Sequence, residues 1–255
     1  AKNVVGLMKN EDLSDENNLF LRMDESPFRF QVFKGSENKY SKGGFEVANK
    51  EDFEDAKKQL FDLGIAFHDE GEDLAKVRCV KELISFSDPA GNSLELFYGR
   101  DLDTNEFRSS QDISGFVTHG LGLGHLVFGT LEAEAAHNFY TQVMEFGDSD
   151  IMRMRFTPDP NDPESVIYFM HCDNPRHHTV GIMLAPTPPS GLIHAMVEVE
   201  TAMYKARDPQ LSKRLREHPT DTAQVRPSID APDLKQAVQA SAPTPSSSST
   251  SPAPP

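Results

Sequence analysis

Along this chain the spacing of apolar residues switches between a period of two, which marks strands, and a period near 3.6, which marks helices. The switch repeats. In GGFEVANKEDFEDAKKQLFDLGIAF, residues 43–67, a short alternating strand leads through Asn49 into a helix with Phe53, Ala56, Leu60 and Leu63 on one face. GLGHLVFGTLEAEAAHNFYTQVMEFGD, residues 122–148, does the same with Leu131, Ala135, Phe139, Val143 and Phe146 as its stripe. The first unit runs on through strand-like VKELISFSD, the turn PAGN and the strand SLELFYG. A third copy begins at GLIHAMVEVE. The pattern predicts an α+β fold of repeated βαβββ modules with a period of about 55 residues, complete over residues 44–99 and 119–186.

Counting modules against that period divides the chain. Residues 1–33 read as the back half of a module, with LFLRM and FRFQVF as two strands joined by a turn around Ser26 and Pro27. An N-terminal domain over residues 1–100, its first module incomplete, is followed by a linker at 101–118. A C-terminal domain over 119–203 ends in an incomplete last module. Residues 204–255 are polar and proline-punctuated, and the low-complexity end SAPTPSSSSTSPAPP is expected to be disordered.

Composition narrows the function. At 255 residues the chain can bury the core an enzyme needs, and its net charge of −15 with pI near 5.0 argues against nucleic acid, since no basic run is present to neutralise phosphates. No apolar run approaches the roughly 18 residues of a membrane span, and AKNVVGLMKNEDL lacks a signal-peptide core, so a cytoplasmic protein is expected. Cys79 and Cys172 match no metal or disulfide framework and read as small buried hydrophobes.

Histidine is the residue out of place. His171, His177, His178 and His194 all fall within residues 171–200, in otherwise apolar, strand-like sequence. Aligning the strand starts puts Phe45 of GGFEV, His125 of GLGHLVF and His194 of GLIHAMV at one position of the repeat. Paired modules curling into an open barrel would aim the last two at a common interior point, as a metal site requires. A lone strand histidine is ordinarily a core or edge residue. The repeat-equivalent pairing favours the metal reading.

Several segments in order, GLGHLVF, FYTQVMEF, YFMHCDNPRHHTVGI and GLIHAMVEVE, with LFLRMDESPFRFQVF and VKELISFSDPAGNSLELFYG in the first half, resemble the type I extradiol ring-cleavage dioxygenases of the vicinal oxygen chelate (glyoxalase-like) superfamily, the dihydroxybiphenyl-cleaving branch in particular. The likeness covers most of residues 4–203. It implies that His125 and His194 ligate Fe(II), ahead of Mn(II), and that His178 is the outer residue handling protons during oxygen chemistry. Phe169 and Val127 would line the aromatic pocket, while His171 and His177 are read as structural. The implied substrates are a small aromatic diol such as 2,3-dihydroxybiphenyl and O2, and the implied assembly is a homo-oligomer. Two imidazoles and a carboxylate on one face of Fe(II) leave neighbouring positions for a chelating catechol and for dioxygen. An imidazole beside them has a pKa suited to acid or base work.

The carboxylate departs from this pattern. It is expected from the last strand of a fourth module, at the place Glu95 holds in the second, and the sequence after His194 loses the strand pattern beyond Met203. Glu217, His218, Asp221, Asp230 and Asp233 have no strand framework, Glu198 and Glu200 are expected to face solvent or a helix, and Glu95 is read as structural. The chain as written is therefore expected to hold iron weakly. The alternatives are a non-catalytic relative that binds an aromatic ligand or a partner, and a gene fragment.

Overall fold

The structure is a computed structural model that describes residues 2–200 apart from Asp112 and His119. After a single helical turn, α1 (Lys2–Val5), the chain forms a three-stranded antiparallel sheet of β1 (Met8–Lys9), β2 (Asn18–Arg22) and β3 (Phe30–Phe33). The turn between β2 and β3 closes around Arg22, which is 1% exposed. Its guanidinium donates to the carbonyls of Asp24, Ser26 and Asn105 and pairs with Asp103 at 3.2 Å. A fully buried cation is tolerable only with this many acceptors.

The first complete module is β4 (Lys42–Val47), α2 (Lys50–Asp62), β5 (Phe67–Asp69), α3 (Gly71–Arg78), β6 (Glu82–Ser87) and β7 (Ser93–Tyr98), in sheet order β4-β7-β6-β5 with β4 parallel to β7. Asn49 caps α2 by accepting the Asp52 N–H, as its position in the sequence predicts. Phe53 and Leu60 are buried beneath the helix, but Leu63 is the C-cap residue and lies 55% exposed, outside the stripe expected for it. The short helix α3 had no counterpart in the periodicity. Its signal lies in charge, with Glu72 and Asp73 in the first turn and Lys76 and Arg78 in the last, each favourable to the helix dipole.

β8 (Gly115–Phe116) precedes the second module, which consists of β9 (His125–Thr130), α4 (Ala133–Gln142), β10 (Gly147–Met154), β11 (Ser165–His171) and β12 (Val180–Leu184). Its order is β10-β11-β12-β9, with β9 parallel to β12, so the two modules share one topology. β13 (His194–Met196) then adds antiparallel to the outer side of β9, and β14 (Val199–Glu200) pairs with β8. In α4 the buried residues are Ala133, Ala136, Phe139 and Tyr140, while Leu131 is 70% exposed and Ala135 also faces out. The expected stripe was therefore rotated. Small alanines, rather than Leu131, sit against the sheet and let the helix approach it closely.

One apolar core runs through both modules. Phe45 packs edge-on against Phe146 with centroids 5.4 Å apart, and Phe86 meets Phe139 at 6.2 Å. Tyr140, buried in α4, donates its hydroxyl to Asp88 of the first module at 3.2 Å.

Candidate metal centre

Strand alternation decides which side chains of the second module enter the core. Leu126 and Phe128 of β9, Val180 and Ile182 of β12, and Tyr168 and Met170 of β11 all face the helix and pack in the core. The residues between them face the other way. Register aligns Phe169 with Gly181, Gly181 with Val127, and Val127 with His194, so these four residues cross one sheet face in a single row. His125 and His171 lie on the same face, each two residues along its strand from that row.

His125 and His194 therefore meet. Their Nε2 atoms are 3.1 Å apart, with His125 buried to 9% exposure. His194 is exposed as a whole, but its ring is turned toward His125, and desolvation holds its pKa below the ordinary histidine value. That favours the neutral imidazole, the form that ligates a metal. The approach depends on Gly124. Its φ of +148° suits glycine, and a Cβ built there would stand 1.8 Å from the Met196 carbonyl oxygen on β13.

His178 joins them from the loop before β12. Its ring lies over that of His125, with centroids 4.0 Å apart and planes 30° apart, and Phe169 meets it edge-on at 4.8 Å. The loop is pinned from below by Arg176, which pairs with Glu198 at 2.7 Å and donates to the Val117 carbonyl at 3.1 Å. Glu198 is thus committed to Arg176. The side chain of Glu200 lies outside the described residues, as do Glu217, His218, Asp221, Asp230, Asp233 and the C-terminal segment expected to be disordered. Among the described residues no group of three or more His, Cys, Asp and Glu side chains gathers as a metal cage.

All five residues singled out from the sequence, His125, His194, His178, Phe169 and Val127, fall in this one region. Four supporting residues carried no sequence signal as site residues: Gly124, Ser149, Arg176 and Gly181. Ser149 occupies the register shift between Asp148 and Asp150 in β10. From there its hydroxyl reaches the His177 carbonyl and lies 2.7 Å from His171 Nδ1.

One equivalence drawn from the sequence is corrected. Phe45 faces the core, on the helix side of its sheet, whereas His125 faces away from the helix, so the two do not occupy the same position of the repeat. Lys42, the first residue of β4 as His125 is of β9, holds the corresponding place, and its ammonium pairs with Glu95 at 3.0 Å. Arg78 adds a second pairing to Glu95 at 2.8 Å. In the first module two cations thus stand against the carboxylate where the second presents imidazole.

The nitrogen pair fits a transition metal. Two imidazole nitrogens bound at about 2.1 Å on neighbouring octahedral positions stand about 3.0 Å apart, close to the spacing of His125 and His194. A hydrogen bond from one ring to the other accounts for the spacing equally well in the metal-free protein.

No family model matches the chain. It is 37% identical over 202 residues to an iron-dependent extradiol dioxygenase of Rhodococcus jostii (strain RHA1), the match covering 78% of this chain and 66% of that protein. It is 36% identical over 196 residues to a biphenyl-2,3-diol 1,2-dioxygenase of Metapseudomonas furukawaii, covering 76% of this chain and 62% of that one. The chain thus spans a little under two thirds of the length of these relatives. Its fold is similar to that of a catechol 2,3-dioxygenase crystal structure with a TM-score of 0.72 at 26% identity, covering 85% of this chain and 70% of that one.

Proposed function

The chain belongs to the extradiol ring-cleavage dioxygenases of the vicinal oxygen chelate superfamily, and from that premise we propose that its second module binds Fe(II) and supports cleavage of a catechol with O2. The observation that carries this reading is the convergence of His125, His194 and His178 at one place, with Phe169 and Val127 beside them. His125 and His194 would hold Fe(II), and the metal when bound would supply a path for electrons from a chelated catechol to dioxygen. 2,3-Dihydroxybiphenyl is the proposed substrate. Phe169, Gly181 and Val127 lie side by side on the sheet face that carries His125 and His194. Phe169 and Val127 give apolar contact, and His178 receives and returns the proton that the diol and oxygen exchange during cleavage.

Anaerobic titration with Fe(II), followed by oxygen uptake on 2,3-dihydroxybiphenyl, tests the proposal. The expected result is weak iron binding, lost in both His125→Ala and His194→Ala, with ring-fission product formed slowly and only by the iron-loaded parent. Iron bound without turnover would favour instead a non-catalytic relative that holds an aromatic ligand, a reading supported by the lack of a third donor among the described residues.

A further inference from the structure

His177 and His171 are read from the sequence as structural, yet both stand in a chain of contacts that ends at His178. His177 Nδ1 lies 3.0 Å from His178 Nδ1. The two rings are nearly perpendicular, at 86° with centroids 5.2 Å apart, so the contact is made nitrogen to nitrogen, not by stacking. Behind them, the Ser149 hydroxyl donates to the His177 carbonyl and therefore accepts from His171, which carries its proton on Nδ1. The His171 ring is itself held over Gly147, where a Cβ would come within 2.5 Å of its Cε1. Ser149 reaches this point because the register shift in β10 turns it out of the regular ladder.

We propose that His177 is a positioning residue, whose Nδ1 fixes the tautomer and ring orientation of His178, and that Ser149 holds His177 in the place from which it does so. The proposal rests on the function assigned above for its catalytic meaning, but not for its geometry. Two facing Nδ1 atoms can share only one proton when both rings are neutral, so one donates and the other accepts. If His177 donates, His178 carries its proton on Nε2. If His177 accepts, His178 presents an Nε2 lone pair. Either way the tautomer of His178 is tied to that of His177, so that the pairing the surroundings favour sets both rings, and the His178 ring is held at Nδ1 while Phe169 and His125 pack against it. Outer partners that fix the orientation of an acting imidazole typically change activity by about 10- to 100-fold when removed.

The deciding measurement uses the metal-free chain labelled with 15N, reading the His178 ring nitrogens through their long-range couplings to the ring protons. In the parent the two nitrogens are expected at well-separated shifts, the mark of one tautomer. In His177→Ala they should move toward each other as both tautomers populate. In His177→Asn, whose side-chain amide can stand where Nδ1 stood, the separation should return. Ser149→Ala should give an intermediate result. His177 is exposed, so these variants are expected to fold as the parent does. Ring nitrogens that are alike in parent and His177→Ala, or already averaged in the parent, overturn the proposal.

Kinetics add a second readout in the iron-loaded chain. His177→Ala should lower kcat about tenfold with KM unchanged, and His177→Asn should recover most of it. A rise in KM with kcat unchanged would overturn the positioning role. Absence of turnover in the parent overturns the assigned activity alone, because the nitrogen shifts judge the positioning role without iron or substrate.

Discussion

Glu95 is a carboxylate held 4% exposed within the first module's sheet. Burial pushes its pKa up, but the hydrogen bonds and charges of Arg78 and Lys42 outweigh that, and the group sits below its ordinary value of 4.5. A depressed carboxylate stabilises the folded state above its unfolded pKa and loses that contribution as pH falls through the folded one. Urea unfolding between pH 7 and pH 3 should therefore show the parent losing stability below about pH 4.5, and Glu95→Gln losing less over the same range. At pH 7 the variant should be less stable by roughly 3 kcal/mol, since Arg78 and Lys42 lose their buried partner. The sequence made Glu95 structural because Phe45 stood in the repeat where histidine stands elsewhere. The residue actually in that place is Lys42, three positions earlier. An odd shift along a strand reverses which face a residue occupies, and a repeat aligned by its glycines leaves that parity undetermined.

At the scale of elements, the nitrogen pair exists because β13 lies close beside β9, and Gly124 is what allows it. Gly124→Ala would drive a methyl group into the Met196 carbonyl. Amide exchange at Met196, opposite His125, should accelerate at least tenfold while that of β11 and β12 changes little, and Fe(II) binding should fall with it; unchanged exchange there would contradict this account. The principal strands of the two modules, the helices α2 and α4 and the gathering of His125 with His194 were readable, because they rest on periodicity and repetition. The rotation of α4 was not, since Ala133 and Ala136 carry little hydrophobic signal against Leu131. Ser149 was beyond reach for another reason: a register shift depends on the pairing of β10 with β11, and no pattern within one strand announces it.

For the molecule as a whole, the core joins the two complete modules, with Phe86 against Phe139, Phe45 against Phe146, and Tyr140 donating to Asp88. Loss of packing in one module should therefore be felt in the other. Phe139→Ala is expected to cost about 3–5 kcal/mol and to lower one shared thermal transition; two separate transitions in calorimetry would count against a joint core. The second module divides its work by the pleat of its sheet. Along β9, Leu126 and Phe128 belong to the core, while His125 and Val127 belong to the site. Replacing residues 125–128 one at a time with alanine should give a sawtooth, with ring cleavage lost at 125 and 127 and folding weakened at 126 and 128. A lineage carrying this strand can revise its chemistry on every second residue while leaving its thermal tolerance largely intact. New substrate preferences are then reached by short mutational paths that need no compensating repair in the core.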